Sequence, residues 1–239
     1  MTVYQQYFNR EKKRLAILLD PDKLNQEKTL RLSSIIEKSP ADMIFVGGSL
    51  VSNSVDRTIE LIKQETSKPV ILFPGSGSQF SKKADALLFL SLISGRNPEY
   101  LIGEQVKSAF VIKKSGIETI PTGYILIDGG RRTAVEYISN TFPIPNDKPD
   151  LAVSTAIAGE LLGMKCLYLE AGSGANNPVS GEIISQVRQN VSSPIIVGGG
   201  IKNFNILSNI FRLGADIVVI GTAFENNPDF FENLKGQYV

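Results

Sequence analysis

Eight short apolar segments, distributed along the whole chain, constrain its fold more than any other feature of the sequence. Each is a nearly continuous run of Val, Ile, Leu or Phe, which is typical of strands buried on both faces in a parallel sheet. The predicted strands cover residues 14–20, 42–48, 69–75, 86–91, 124–130, 166–172, 194–200 and 216–222. Segments with helical periodicity lie at residues 26–38, 55–66, 99–114, 151–163, 181–190, 203–213 and 228–236.

This alternation of strands and helices predicts an α/β protein in which residues 1–239 form a single (β/α)8 TIM barrel domain. An open doubly wound sheet is the competing arrangement. One connection breaks the pattern, because residues 74–85, "PGSGSQFSKKAD", have a composition that disfavours a helix. We therefore expect a modified barrel lacking the third outer helix, with a side entrance there; a tight crossover with a one-turn helix fits the spacing equally well. Residues 131–149 form a second irregular segment, expected to be a loop or an extra hairpin over the barrel mouth.

The composition limits both the setting and the chemistry of the protein. A net charge of +1 argues against a general nucleic-acid binder. The single cysteine, Cys166, lies in an apolar run and has no partner for an internal disulfide, so we expect a reducing, cytoplasmic setting. The sequence opens without a signal-peptide pattern, and no apolar run approaches the roughly 18 residues of a membrane span. Histidine is absent, so a general base would be a carboxylate, lysine, tyrosine or thiolate.

Glycine-rich turns end the last three predicted strands. These ends read Glu170-Ala-Gly-Ser-Gly, Gly-Gly-Gly at 198–200, and Gly221-Thr222. Glycine allows backbone N–H groups to converge on phosphate oxygens, and the loops after strands seven and eight form the recurring phosphate site of this architecture. A carboxylate beside this predicted phosphate site would repel the ligand unless it had another role. We therefore expect Glu170 to accept hydrogen bonds from ligand hydroxyls and to take a proton from one of them. Tyr168 lies on the same strand face. The alternative is that Glu170 pairs with a lysine or caps a helix.

The first predicted strand ends in "LLDPDK", with Asp20, Asp22 and Lys23 around a proline. Carboxylate oxygens suit Mg²⁺, which usually takes one or two protein ligands together with phosphate oxygens and water. Ser49, at the end of the next strand, is placed to add a hydroxyl. Asp22 fits a turn or a helix cap as well as a metal site. The pattern therefore indicates a second, metal-dependent anion site that faces the phosphate pocket.

A side entrance would also need apolar walls. The apolar residues next to it are Phe73, Phe80, Leu88 and Phe89. Each of them taken singly is more typical of an ordinary core. Together they would frame a groove for the apolar tail of a lipid-like donor with a diphosphate head.

The segments "LLDPDK", "VGGS", "YLEAGSG", "VGGGI" and "IGTAF" together resemble the geranylgeranylglyceryl phosphate synthase family, which includes the bacterial heptaprenylglyceryl phosphate synthases. The resemblance covers essentially the whole chain, and it implies a barrel without the third helix. It implies that Asp20 and Ser49 bind Mg²⁺. It further implies that sn-glycerol 1-phosphate is held by Tyr168, Leu169, Glu170, Ala171, Gly172, Ser173, Gly174, Gly199, Gly200, Gly221 and Thr222. The sequence departs from the family at one position. Bacterial relatives often carry a lysine two residues before the first aspartate, where this chain has Leu18. Lys23 or Lys202 is the candidate to supply the missing positive charge.

The resemblance implies a Mg²⁺-dependent prenyltransferase. This enzyme would join the 3-hydroxyl of sn-glycerol 1-phosphate to geranylgeranyl diphosphate, with Glu170 as the catalytic residue and diphosphate as the leaving group. A longer, heptaprenyl donor is the alternative within the family. A sugar-phosphate isomerase or aldolase and a non-catalytic prenyl-phosphate carrier are the alternatives outside it. The family also implies a homodimer or a larger homo-oligomer, and a lipid-like donor is compatible with transient membrane contact.

Overall fold

Eight parallel strands close into a barrel in the computed structural model, which describes residues 1–228, 230 and 231. Each strand pairs with its neighbours in chain order, and the last pairs with the first. The strands are β1 (Arg14–Leu19), β2 (Met43–Val46), β3 (Val70–Leu72), β4 (Ala86–Leu92), β5 (Glu118–Leu126), β6 (Cys166–Glu170), β7 (Ile195–Gly198) and β8 (Ile217–Ile220). The predicted α/β TIM barrel is thereby confirmed, and the open sheet is excluded.

Helices of the described chain surround this barrel. They are α1 (Val3–Tyr7), α2 (Gln26–Glu37), α3 (Val55–Glu65), α4 (Glu104–Ser115), α5 (Ala134–Ser139), α6 (Pro149–Leu161), α7 (Gly181–Asn190), α8 (Phe204–Arg212) and α9 (Thr222–Asn226). A π-helical turn, Glu99–Gly103, leads into α4. Side-chain caps explain several starts: Asn25, Ser54, Ser180 and Asn203 each accept a hydrogen bond from a backbone N–H of the first turn. Of the predicted last helix, residues 229 and 232–236 lie outside the described residues.

Two apolar layers follow from the alternation of side chains along the strands. Inward-facing residues such as Phe45, Leu88 and Tyr168 fill the barrel itself. Outward-facing residues such as Leu87 and Leu169 pack beneath the helices. The C-terminal ends of all eight strands therefore meet at one open mouth above a filled interior, which is where a site can form.

The third crossover carries a single 3-10 turn, Gly77–Gln79, and no α-helix among residues 73–85, all of which are described. Side chains hold this compact connection in place of a helix. Gln79 is buried, accepts a hydrogen bond from the Gly75 N–H at 3.1 Å and donates one to the Gly48 carbonyl at 2.8 Å. Glu104 accepts from the Gly77 N–H at 2.8 Å. The predicted loss of the third outer α-helix is confirmed, and the single helical turn of the alternative is also present, as the 3-10 turn Gly77–Gln79.

Two segments differ from the prediction. Strand β5 begins at Glu118, six residues before the predicted start at 124. The prediction missed these residues because Pro121 and Gly123 interrupt the apolar run, although both pair with β4. The segment 131–149 contains α5, and its Ile144 forms an isolated parallel bridge with Ile127, which precedes the segment, so the hairpin alternative was wrong. No helix in the described part of the chain combines the length and apolar character needed to span a membrane.

Candidate active site

A cavity of about 820 Å³ occupies the barrel mouth and is called the mouth cavity below. This volume lies within the range of small-molecule sites. Eight of the eleven residues predicted to hold glycerol phosphate line it: Tyr168, Glu170, Ser173, Gly174, Gly199, Gly200, Gly221 and Thr222. The two predicted metal ligands, Asp20 and Ser49, line it too. The structure thus brings together both predicted anion sites.

The remaining three predicted residues do not line the cavity. Leu169 and Ala171 are fully buried and pack in the outer apolar layer, because alternate residues of β6 face the helices. The Gly172 N–H is directed at the Glu170 carboxylate. Leu169 therefore contributes to the packing of β6, and Ala171 and Gly172 shape the backbone of the loop after it.

Close backbone packing explains the glycines. Gly199 has φ of +85°, and a Cβ atom there would lie 2.6 Å from Glu170 Oε1 and 2.7 Å from the Gly172 nitrogen. Only glycine permits this conformation together with this approach. The Ser173 and Thr222 hydroxyls lie 3.2 Å apart and join the loops after β6 and β8. Three loops are thereby held around one small, polar, mainly backbone-lined region, as an anion site requires.

Glu170 is one of two buried acids that the described chain contributes to the mouth cavity, with 6% of its surface exposed against 8% for Glu225. Its Oε1 atom accepts a hydrogen bond from the Gly172 N–H at 2.6 Å. Burial raises the pKa of Glu170 to about 7, against the opposing effects of the nearby Tyr168 hydroxyl and the Gly172 N–H. A carboxyl group with a pKa near neutrality can both accept and release a proton, as acid–base catalysis demands. Among the described residues it forms no ion pair with a lysine, which was the alternative for Glu170.

Tyr168 is buried beside Glu170 and within an aromatic group. Its ring stacks on Phe73 at a centroid distance of 5.1 Å and contacts Tyr124 at 5.4 Å. Burial, and then the Glu170 charge, raise the pKa of Tyr168 well above its ordinary value, so the hydroxyl stays protonated. Its oxygen and Glu170 Oε2 both approach Gly198, but within the described chain the hydroxyl has no hydrogen bond of normal geometry. The protonated hydroxyl therefore lies next to the Glu170 carboxylate, whose pKa it lowers.

Asp20 lies across the cavity in a group of three charged side chains. Lys23 Nζ is 3.6 Å from Asp20 Oδ2 and 3.0 Å from Glu225 Oε2. Glu225 also accepts a hydrogen bond from the Asp20 N–H at 3.2 Å. Burial raises the pKa of Asp20, so that a neighbouring cation would stabilise its charged form. Gly48 keeps space open, since a Cβ atom there would lie 3.2 Å from Asp20 Oδ1.

This donor set fits a hard cation. A carboxylate and a hydroxyl are oxygen ligands of the kind that Mg²⁺ prefers. No three carboxylates or thiolates converge around one point in the described part of the chain, so a cation beside Asp20 would take further ligands from water or bound phosphate. Asp22 does not contribute to this group. It accepts hydrogen bonds from Asn53 and Ser52, which lower the pKa of Asp22 and hold the loop after β2. The capping role expected as an alternative for Asp22 belongs to Asp20, whose Oδ1 accepts the Asp22 N–H at 3.1 Å at the start of the 3-10 turn Pro21–Lys23.

An apolar groove, called the lateral groove below, fills the space left by the missing helix. All four predicted residues, Phe73, Phe80, Leu88 and Phe89, line it. Further walls come from α4 and the preceding turn, through Tyr100, Ser108 and Ile112 among others. Gly48, Ser49, Phe73 and Tyr124 line both the groove and the mouth cavity, so the two spaces meet beside Asp20 and Glu170.

The sequence did not single out every residue of the cavity. Glu225 is separated from Lys23 by about two hundred residues, and no local pattern indicates their contact. Arg131 and Arg132 line the mouth cavity from the segment after β5, where only a covering loop was predicted. Of the two candidates for the charge missing at Leu18, Lys23 is engaged with acids, while Lys202 lines the cavity and donates to the Asn176 carbonyl at 2.9 Å.

Known proteins resemble this chain over almost its full length. Residues 8–236 match the PcrB family. The geranylgeranylglyceryl phosphate synthase of Flavobacterium johnsoniae is 53% identical over 236 residues, which cover 97% of both chains. That of Pyrococcus horikoshii is 44% identical, over 94% of this chain and 89% of the relative. The crystal structure of (S)-3-O-geranylgeranylglyceryl phosphate synthase from Thermoplasma acidophilum, in complex with its substrate sn-glycerol-1-phosphate, superposes with a TM-score of 0.91 at 35% identity, over 98% of this chain and 96% of that one.

Proposed function

The chain belongs to the PcrB family, and we propose that it is a geranylgeranylglyceryl phosphate synthase, a prenyltransferase that joins geranylgeranyl diphosphate to sn-glycerol 1-phosphate. The observation that carries the proposal is the junction of the mouth cavity and the lateral groove, both of which Ser49 and Phe73 line. A polar acceptor and an apolar chain can reach this point from two sides. The names of the similar proteins support the identity of both substrates.

In the proposed reaction, the 3-hydroxyl oxygen of the glycerol phosphate bonds to the first carbon of the prenyl chain. The bond between that carbon and the diphosphate oxygen breaks, and diphosphate leaves with the electron pair. Glu170 receives the hydroxyl proton, a role that its pKa of about 7 supports. The protonated Tyr168 hydroxyl donates a hydrogen bond to the bound glycerol. The phosphate binds the backbone N–H groups of the glycine loops after β6, β7 and β8.

Asp20 and Ser49 are proposed to hold Mg²⁺ with the diphosphate at the opposite side of the mouth. When bound there, Mg²⁺ would supply positive charge that stabilises the leaving diphosphate. Lys23 lies beside this site, at 3.6 Å from Asp20 Oδ2, and its charge is shared between Asp20 and Glu225. Asp22 offers a matched control, since it lies two residues away and its carboxylate is directed to Ser52 and Asn53 instead.

The lateral groove is proposed to hold the prenyl chain. Its walls are largely apolar and include Phe80 from the third crossover and Ile112 from α4. The geranylgeranyl group is favoured over a heptaprenyl group because proteins 53% and 44% identical to this chain are named for it.

Self-association and a cytoplasmic location stay predictions. Light scattering on the purified protein checks whether it forms a dimer or a larger oligomer.

An extraction assay tests the proposed function. Purified protein, Mg²⁺ and geranylgeranyl diphosphate are mixed with labelled sn-glycerol 1-phosphate or sn-glycerol 3-phosphate, and lipid-soluble label is counted. We expect label from the 1-phosphate, its loss in EDTA and in D20N, and its retention in D22N. A heptaprenyl donor in a parallel reaction tests the alternative chain length. Extractable label from neither isomer with either donor would contradict the assignment.

A further inference from the structure

We propose that Arg131 is a further substrate-binding residue, which contacts the phosphate group of the acceptor from the segment after β5. This inference rests on the proposed function, because it concerns the same phosphate site. Arg131 lies at the edge of the mouth cavity, and its Nη1 atom donates a hydrogen bond to the Gly174 carbonyl at 3.3 Å. It therefore already contacts the glycine loop after β6.

Two anchors on either side hold Arg131 in this position. Before it, the Gly129 carbonyl accepts hydrogen bonds from the Asn176 and Asn177 N–H groups at 2.9 and 3.0 Å. A Cβ atom on Gly129 would lie 2.3 Å from the Ala171 carbonyl oxygen, so the two backbones are in direct contact.

After it, Thr133 packs on the same loop. A Cβ atom on Gly172 would lie 2.3 Å from Thr133 Cγ2, so this glycine leaves room for the threonine. The segment that carries Arg131 is thereby fixed to the glycine loop at both of its ends. Backbone packing fixes the point from which Arg131 extends, and its exposed side chain is held by the hydrogen bond to the Gly174 carbonyl.

Electrostatics supplies the reason for a cation here. The glycine loop offers N–H groups but no positive side chain, and the neighbouring Glu170 would repel a phosphate when it is ionised. Two lysines also line the cavity, but Lys23 is paired with Asp20 and Glu225 on the far side, and the Lys202 ammonium donates to the Asn176 carbonyl at 2.9 Å. Arg131 forms no ion pair with any described residue, and its guanidinium has further N–H groups beyond the one bonded to Gly174. A phosphate in the glycine loop would satisfy them with charge-assisted hydrogen bonds.

Isothermal titration of the full chain at one ionic strength tests this role. The ligands are sn-glycerol 1-phosphate and, in a second series, inorganic phosphate. We expect R131Q to raise Kd about 10-fold for both ligands, as for the loss of an exposed charge-assisted hydrogen bond. R131K keeps the charge without the planar fork and should give an intermediate Kd. R132Q removes the same charge from a neighbouring side chain for which the described structure gives no bond to the glycine loop, and should raise Kd less than R131Q does.

Two results would overturn the proposal: an R131Q Kd within about 2-fold of the wild type, or an equal loss in R132Q, which would indicate general charge rather than contact. Failure of the proposed function gives a different pattern. If the wild type binds inorganic phosphate in an Arg131-dependent manner but does not bind sn-glycerol 1-phosphate, the anion site stands and the substrate assignment falls. If the wild type binds neither ligand, both fall. Thermal unfolding of each variant checks that the fold is intact.

Discussion

Replacing Glu170 with glutamine tests two effects of its buried carboxyl group: proton transfer in the reaction, and the pH dependence of the free energy of unfolding. Glutamine keeps an oxygen that can accept the Gly172 N–H, which donates to Glu170 Oε1 at 2.6 Å. The substitution removes the titratable proton and the charge while the shape stays nearly the same. We expect E170Q to lose at least about 100-fold in kcat, because the amide cannot take up the hydroxyl proton and the other carboxylates that line the cavity, Asp20 and Glu225, are paired with Lys23.

The same substitution should stabilise the folded protein above neutral pH. Burial raises the pKa of Glu170 from its ordinary value of 4.5 to about 7 in the folded state. The folded protein therefore binds the proton more tightly than the unfolded chain does, and the free energy of unfolding falls as pH rises from 4.5 to about 7. The full loss is on the order of 3 kcal/mol, at ~1.4 kcal/mol per pKa unit, and glutamine should not show it.

Urea unfolding at pH 5 and pH 8, followed by circular dichroism, measures this effect. The informative quantity is the change in unfolding free energy between the two pH values, compared between the wild type and E170Q. Between pH 5 and pH 8, we expect the wild type to lose about 2–3 kcal/mol more unfolding free energy than E170Q does. This is slightly less than the full loss, because pH 5 already lies above the ordinary pKa of a glutamate. A difference below about 1 kcal/mol would refute the reasoning, since Glu170 would then not be desolvated enough to have a pKa near neutrality. For the wild-type reaction, kcat/KM should rise with pH and level off above about pH 7.

Three further substitutions test other parts of the site. G199A places a Cβ atom 2.6 Å from Glu170 Oε1 at φ of +85°; we expect sn-glycerol 1-phosphate binding to weaken at least about 10-fold in calorimetry, with a stability loss of about 1–3 kcal/mol. D20N should weaken Mg²⁺-dependent binding of inorganic diphosphate, while D22N keeps it, in the same calorimeter; equal losses would contradict the assignment of Asp20. S108F fills part of the lateral groove, so kcat/KM for geranylgeranyl diphosphate should fall more than for a shorter prenyl diphosphate.

Much of the fold could be predicted because it depends on local patterns. The apolar runs located all eight strands, and the composition of residues 74–85 indicated the missing helix. The start of β5 was missed because Pro121 and Gly123 hide a strand whose pairing with β4 is decided by the barrel. The short helix α5 was missed as well. It depends on the Thr133 cap and on contacts with other loops, so it too is decided by the folded barrel rather than by a local pattern.

The site was predictable to the extent that it is built from strand ends. The barrel architecture brings Asp20, Ser49, Glu170 and Thr222 to one mouth whatever the loops do. Side-chain direction was less accessible: the resemblance gave Leu169 as part of a continuous binding segment, but the alternation of β6 directs it outward. The contact between Lys23 and Glu225 depends on the closure of the barrel, which no short segment encodes.

Mass spectrometry of the reaction product tests the central claim most directly. The protein is incubated with Mg²⁺, geranylgeranyl diphosphate and sn-glycerol 1-phosphate, and the lipid extract is analysed before and after alkaline hydrolysis. We predict a geranylgeranylglyceryl phosphate that survives alkali, because its prenyl chain is attached through an ether, with one diphosphate released per molecule of product. A product cleaved by alkali, or diphosphate release without a glycerol-containing lipid, would contradict the account.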